Sequence, residues 1–425
     1  MTALAYESLL IFGFLFYLPK ALWRKRLPHR GWSMRLGHYP DAVRGRLGAP
    51  GTVWIHAVSV GETIAAKPLI EALLAARPPP PLVLSTVTPT GYHVASRWLG
   101  DRGTVIYSPL DLRAAVRRSL DAVQPRLLIL LESELWPTWI RLVKARGVPV
   151  AVVNGRMSER AYRRYLRVRS AARPMLAAVD LWLMQSQTDA QRAIELGAPE
   201  SKVRVLGSLK WDASWLGRPD PEQVAALARQ WQLQPDHRVI VAGSTHRGEE
   251  LALLEAFGGI RGHLDHAKLI LAPRHLERMD EVERLARSRR MAVRRVSRGV
   301  SAEPWDVLIV DVMGQLPAYY ALASVVFVGG SLIPHGGQNP IEPASLGKAV
   351  LFGPSMHNFA DIAKTLLTEH AARQLADQAA LTASLLELLT DSVRTEAMGR
   401  RAQEVTERAR GVARRTLDAL APLLP

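Results

Sequence analysis

The chain has 425 residues, 48% of them hydrophobic and 22% charged, with a formal net charge of +16 and no cysteine. That length accommodates two globular domains, and the missing cysteines exclude disulfides, thiolate catalysis and cysteine-ligated zinc. The cationic excess implies an anionic partner, but no recognisable nucleic-acid motif accompanies it, which leaves an acidic membrane or a phosphorylated substrate and no nucleic acid.

Residues 9–18 (LLIFGFLFYL) form an apolar run followed at once by Lys20, Arg24, Lys25 and Arg26. A secretory signal places its positive charge before the apolar core, so the run is not one. It is shorter than the ~20 residues of a full span. A short span or an interfacial helix is expected over residues 1–25, with the trailing cations holding the rest of the chain at the cytoplasmic face; a buried helix of the first domain is the alternative. Between Lys20 and Arg46 eight Lys or Arg face one acid, Asp41, and between Arg156 and Arg173 seven Arg face one acid, Glu159.

From Thr52 onward, unbroken apolar strands alternate with helical patterns. Strands are expected at 52–57 (TVWIHA), 82–86, 127–131 (LLILL), 148–153 and 181–185, and after an irregular stretch at 207–221 they resume at 238–242 (RVIVA), 268–271, 306–310, 324–328 and 349–352. Such runs indicate parallel sheets covered on both faces. The prediction is α/β: two doubly wound, Rossmann-like domains in tandem, over 26–215 and 216–425, the second ending in helices from about Ala379 that are expected to pack across the boundary or against the first domain. Residues 207–221 are the candidate linker.

In open parallel sheets ligands bind beyond the carboxyl ends of the strands, so the chemistry is sought in the loops that follow them. In the first domain these loops carry acids. Glu62 lies in SVGET, and is either a general base at the mouth of the site or a helix-start acid that complements the dipole. Glu132 and Glu134 follow LLILL directly; Glu132 is the more apt to enter the crevice, and Glu134 to cap a helix near Pro137. In the second domain Gly243-Ser244-Thr245 is expected to open a helix and offer N–H groups to a phosphate. Pro273-Arg274 places a guanidinium at a strand end, and the 311–315 segment (DVMGQ) opens another helix. The 329–343 segment, GGSLIPHGGQNPIEP, supplies a loop able to wrap a ligand and an acid, Glu342, able to hold a ribose diol. His56, His246, His275, His335 and His357 lie near these loops without HxH or HxxxH spacing, so no metal is expected.

Taken in order, WIHAVSVGET, TVTPTG, ESELWP, NGRMSER, GSLK, GSTHRGEE, LAPRH, DVMGQL, FVGGSLIPHGGQNPIEP and FGPSMHNFADI resemble the 3-deoxy-D-manno-octulosonic acid (Kdo) transferases of lipopolysaccharide assembly, over nearly the whole chain. The resemblance implies a GT-B fold with an interdomain cleft and an N-terminal membrane-anchor helix. It implies transfer of Kdo from CMP-Kdo to the glucosamine disaccharide of a lipid A precursor (lipid IVA), with inversion and without metal or cofactor, at the cytoplasmic face of the inner membrane. It makes the first domain acceptor-binding and the second nucleotide-sugar-binding. Glu62 corresponds to the general base, and Glu132 and Lys210 to residues that stabilise the transition state. Pro273, Arg274, Met313, Gly314, Gln315, Asn339, Pro340, Ile341 and Glu342 correspond to donor contacts. Many relatives have Glu where this chain has Gln315. A related enzyme with another nucleotide-sugar donor, or a noncatalytic lipid-binding module, are the competing readings; the acids Glu62 and Glu132 with Lys210 speak against the second.

Overall fold

The computed structural model describes residues 6–7, 12, 31–301 and 303–424. Apart from Phe12, the expected anchor at 9–18 and its cations Lys20, Arg24, Lys25 and Arg26 lie outside the described residues. Among the described residues no helix is long and apolar enough to cross a membrane. The chain forms two compact units, Met1–Ala213 with Gly411–Pro425, and Ser214–Arg410.

The first unit is built on a seven-stranded parallel sheet of order β3-β2-β1-β4-β5-β6-β7. Its strands are β1 Val53–His56, β2 Leu82–Thr86, β3 Thr104–Tyr107, β4 Leu127–Leu131, β5 Val150–Gly155, β6 Leu181–Met184 and β7 Val203–Val205. Successive side chains of a strand point to opposite faces. Trp54, Leu128, Leu130, Val152 and Trp182 therefore fill one core, and Val53, Ile55, Leu127, Ile129, Leu131 and Leu183 the other. Both faces are dry, which is why the central strands have no polar alternation.

The second unit repeats the plan with order β10-β11-β9-β8-β12-β13-β14. Here β8 is Arg238–Thr245, β9 Ala267–Pro273, β10 Val293–Arg295, β11 Val307–Ile309, β12 Val325–Val328, β13 Ala349–Phe352 and β14 Ala372–Gln374. Ile240, Leu269, Val307, Phe327 and Leu351 form one face of its core with helices Glu249–Arg261 and Ala379–Thr390.

Two boundaries differ from the sequence reading, and the last helix takes one of the two places expected for it. The division between units falls at Ala213/Ser214. The 207–221 stretch is not an open linker, since it contains the helix Lys210–Leu216. The last helix, Val412–Leu420, belongs to the first unit: Val412, Ala413 and Leu420 enter its core, and the Asp212 carboxylate accepts the N–H groups of Gly411 (2.8 Å) and Ala413 (2.6 Å). Side-chain caps of this kind satisfy N–H groups that have no partner within the helix.

The strand order locates the site in each unit. After β1 the chain builds outward to β3 and then returns to place β4 on the other side of β1; after β8 it builds through β9 to β11 and returns to place β12 beside β8. The helices that follow the strands on either side of such a reversal lie on opposite faces, which opens a crevice beyond the carboxyl ends of β1 and β4, and of β8 and β12.

Candidate active site

In the first unit the two loops at that crevice carry the acids. The helix Val60–Leu74 starts with Ser59 as its cap. The Ser59 hydroxyl accepts from the Glu62 N–H (3.4 Å), while the Glu62 carboxylate accepts from the Val58 N–H (2.8 Å) and the Ser59 hydroxyl (3.1 Å). This is the reciprocal arrangement of a capping box. Glu62 is thus a helix-start acid in its geometry. Burial, followed by the nearby Glu132 and then Glu134, nevertheless pushes its carboxyl up to about 7, against the lowering effect of the Val58 and Ser59 hydrogen bonds. A carboxyl group divided between its two forms near neutrality is suited to accept a proton.

Glu132 follows β4 with φ at 55°. A non-glycine residue pays about 1–3 kcal/mol for a sparsely populated conformation of this kind, and the surrounding structure holds it there: its N–H donates to Val153 O (3.0 Å). Its carboxylate lies 3.2 Å from the Lys210 ammonium, with the side chains 17% and 18% exposed. Two charges so far withdrawn from water are tolerated because each compensates the other. Lys210 opens its short helix behind Leu209, whose N–H donates to the Asn154 side-chain oxygen (2.9 Å). Asn154, at the end of β5, also has φ at 55°, and its side-chain nitrogen is buried without a partner among the described residues.

Glu134 does not cap the helix Pro137–Ala145. Asp111 does so from another loop, its carboxylate accepting from Thr138 N–H (3.0 Å) and Trp139 N–H (2.7 Å). Glu134 remains partly buried, and burial and then Glu132 raise its carboxyl above the ordinary range. His56 is a core residue. Its ring lies against Trp136 and Trp139 and 3.0 Å from the Ser85 hydroxyl, and burial pushes it down to about 3, so it stays neutral.

In the second unit, β8 runs on through Thr245, and Gly243-Ser244-Thr245 does not open a helix; the next helix begins only at Glu249. A side chain at Gly243 is excluded, because a Cβ there would stand 1.9 Å from the Tyr320 hydroxyl. That helix starts with Glu249, which is 1% exposed. Its carboxylate accepts from His246 (2.9 Å), Gly330 (2.7 Å), Ser331 (2.9 Å) and Leu332 (3.0 Å).

The other residues expected in this unit fall on the loops of the same edge. Pro273 ends β9, and Arg274, exposed, donates its N–H to Thr245 O (2.9 Å). Met313, Gly314 (φ 83°) and Gln315 precede the helix Leu316–Ala321, with Met313 70% exposed. Asn339 donates to the Ser214 hydroxyl (3.2 Å) and to Glu342 (3.1 Å) and accepts from Ile341 N–H (3.0 Å). Pro340 precedes the short helix Ile341–Ser345, which carries Glu342 in its first turn. Burial raises the Glu342 carboxyl, and the Asn339 hydrogen bond partly offsets the rise. His246 stacks 4.0 Å from His335 and 5.4 Å from His275, and burial first, then these two rings, push it down to about 4. Among the described residues no group of three His, Asp or Glu is disposed to hold a metal ion.

Asn154, Asp111 and Glu249 were not singled out from the sequence as organising residues. Only Asn154 had a local signal, an Asn-Gly pair after an apolar run, which suits a left-handed backbone.

Two doubly wound units with polar loops at their reversal points define a GT-B-like fold. A glycosyltransferase from Rickettsia africae shares that fold at a TM-score of 0.62 and 12% identity, covering 88% of this chain and 98% of the other. The profile of the 3-deoxy-D-manno-octulosonic-acid transferase (kdotransferase) family matches residues 30–213. The 3-deoxy-D-manno-octulosonic acid transferase of Bordetella pertussis is 36% identical over 94% of both chains, and that of Haemophilus influenzae 33% identical over 88% of both. The chain belongs to the Kdo transferase family and is a Kdo transferase of lipopolysaccharide biosynthesis.

Proposed function

We propose that the enzyme transfers Kdo from CMP-Kdo to the glucosamine disaccharide of the lipid A precursor lipid IVA, with inversion, without a metal ion, at the cytoplasmic face of the inner membrane. The observation that carries the mechanism is the Glu62 carboxyl at about 7 beside a Glu132–Lys210 pair of 3.2 Å. Glu62 takes the proton from the acceptor hydroxyl as its oxygen bonds to the Kdo anomeric carbon, and the bond from that carbon to the CMP phosphate oxygen breaks. Attack opposite the leaving group inverts the centre. The anomeric carbon passes through an oxocarbenium-like state, which the fixed charge of Glu132 stabilises. The Lys210 ammonium, 3.2 Å from Glu132, holds that carboxylate in place.

CMP is assigned to the second unit, at Pro273-Arg274, at Met313-Gly314-Gln315 and at Asn339–Glu342, with Glu342 accepting from the ribose hydroxyls. The phosphates of lipid IVA and the anionic membrane surface are assigned to the basic stretch 156–173. Its helix Glu159–Arg167 buries no residue, and Leu166 and Val168 are exposed among its arginines; cations around apolar side chains suit a lipid interface. Residues 1–25 are assigned to the same surface.

Product analysis by mass spectrometry with CMP-Kdo and lipid IVA tests the substrates, and proton NMR of the product tests inversion. Turnover with lipid IVA that persists after exhaustive EDTA treatment is the expected result. No product from this pair, with product from another nucleotide sugar, overturns the donor assignment.

A further inference from the structure

Glu249 is among the most deeply buried acids of the second unit, and no ion pair to it occurs among the described residues. A withdrawn charge without a counter-ion is tolerated only when its hydrogen-bonding capacity is filled, and four backbone N–H groups at 2.7–3.0 Å fill it. Three of the four belong to the segment that leaves β12. That segment is rich in glycine and has little stiffness of its own: Gly330, Gly336 and Gly337 have φ values of 67°, 106° and 74°. It closes on itself where Gly337 N–H donates to Gly330 O (2.7 Å) and Gln338 N–H to Gly329 O (3.0 Å). The next residue, Asn339, begins the turn that carries Glu342. The four hydrogen bonds therefore set the start of a loop whose end is the Asn339–Glu342 segment.

We propose that Glu249 is the positioning residue of the donor loop, holding Gly330–Leu332 so that Asn339–Glu342 is shaped for the nucleotide before it arrives. The inference rests on the assignment of CMP to Asn339–Glu342. Glu249 itself touches no substrate. A loop shaped in advance spares the ligand the entropy of ordering it, so loss of Glu249 weakens donor binding more than it slows transfer once donor is bound.

Glu249→Gln tests this. A carboxamide has one oxygen and one N–H₂ group, so two of the four N–H donors meet another donor and the loop opens. CMP affinity, measured by calorimetry on the whole enzyme, is expected to fall about tenfold or more, as for loss of charge-assisted hydrogen bonds. The KM for CMP-Kdo is expected to rise in parallel, with kcat at saturating donor within about threefold of wild type, because uniform binding is what is lost. Leu253→Ala, a core truncation on the same helix, separates loss of stability from loss of loop shape: it lowers Tm by several degrees or more and leaves CMP affinity unchanged. Glu342→Gln reports on the assignment beneath. Unchanged CMP affinity there removes the nucleotide from this loop, whereas weakened affinity in Glu342→Gln with unchanged affinity in Glu249→Gln overturns the positioning role alone. A fall in kcat with KM unchanged also overturns it. Should Glu249→Gln fail to fold, hydrogen exchange in the wild-type enzyme decides: the Gly330, Ser331 and Leu332 amides are protected without nucleotide, and exchange at open-loop rates overturns the proposal.

Discussion

The two units share a seven-stranded parallel sheet, a reversal point beside the first strand and an acid in the segment that follows that strand, yet treat that acid in opposite ways. In the second unit Glu249 receives four backbone N–H groups and, among the described residues, no ion pair. In the first, Glu62 receives one backbone N–H and one hydroxyl, and burial, followed by two further carboxylates, Glu132 and Glu134, raises its carboxyl. A carboxylate surrounded by backbone donors builds structure. One crowded by like charge in a partly dry site is held near its point of protonation and can do acid–base work.

The sharpest way to break this contrast is Glu62→Gln, which keeps shape and loses basicity. Turnover is expected to fall about 10²–10⁴-fold, and the wild-type rise of kcat with pH through about 7 to disappear. A retained acidic limb in Glu62→Gln, with its loss in Glu132→Gln, would exchange the two roles. The same variant has a stability signature. The folded-state value lies above the ordinary 4.5, so the folded protein binds this proton more tightly than the unfolded chain does. Glu62 therefore costs stability as pH rises toward and past 7, and costs nothing below the unfolded value. Glu62→Gln should raise Tm relative to wild type at pH 8 and lose that advantage at pH 4.

Next in size is the Glu132–Lys210 pair. Removing either partner leaves the other charge poorly solvated, so Glu132→Gln and Lys210→Met should each reduce turnover by at least about tenfold, with the double variant far less impaired than the product of the two. Additive losses would mean that the two side chains act separately. In the second unit, Glu342→Gln should weaken CMP binding by about tenfold if the carboxylate holds the ribose diol through charge-assisted hydrogen bonds; calorimetry reads this directly. The smallest effect concerns a carboxylate assigned to architecture alone. Asp111→Ala removes the acceptor for two N–H groups at the start of Pro137–Ala145 and should cost about 1–2 kcal/mol of stability in denaturant unfolding, while Glu134→Gln, which caps nothing, should cost less.

The interior of both sheets was legible without coordinates. The ten strands expected from apolar runs are β1, β2, β4, β5 and β6, and β8, β9, β11, β12 and β13, within a few residues at each end. The four that escaped are β3, β7, β10 and β14, the four edges of the two sheets. An edge strand pairs on one side only and does not need an unbroken apolar sequence: β7 reads VRV, β10 VRR and β14 ARQ. The acids behind β1 and β4 were legible for the same reason as the interior strands, since a charge directly after a fully apolar run must lie at the rim. Lys210 and the donor contacts came from family resemblance, because no spacing along the chain announces them.

Sequence alone thus determined the class of fold, the rim on which its loop acids lie and the family. Tertiary structure decided how each polar group is used. That the Glu62 carboxyl is pushed up to about 7 depends first on its burial and then on carboxylates some seventy residues along the chain. Whether Glu134 caps a helix depends on Asp111, which already does so. That Asp212 ties the last helix to the first unit depends on a partner some two hundred residues on. Hydrophobic periodicity is a local property and survives in one dimension. Hydrogen bonding, desolvation and Coulomb energy depend on distances in space, which for these residues only the folded chain supplies.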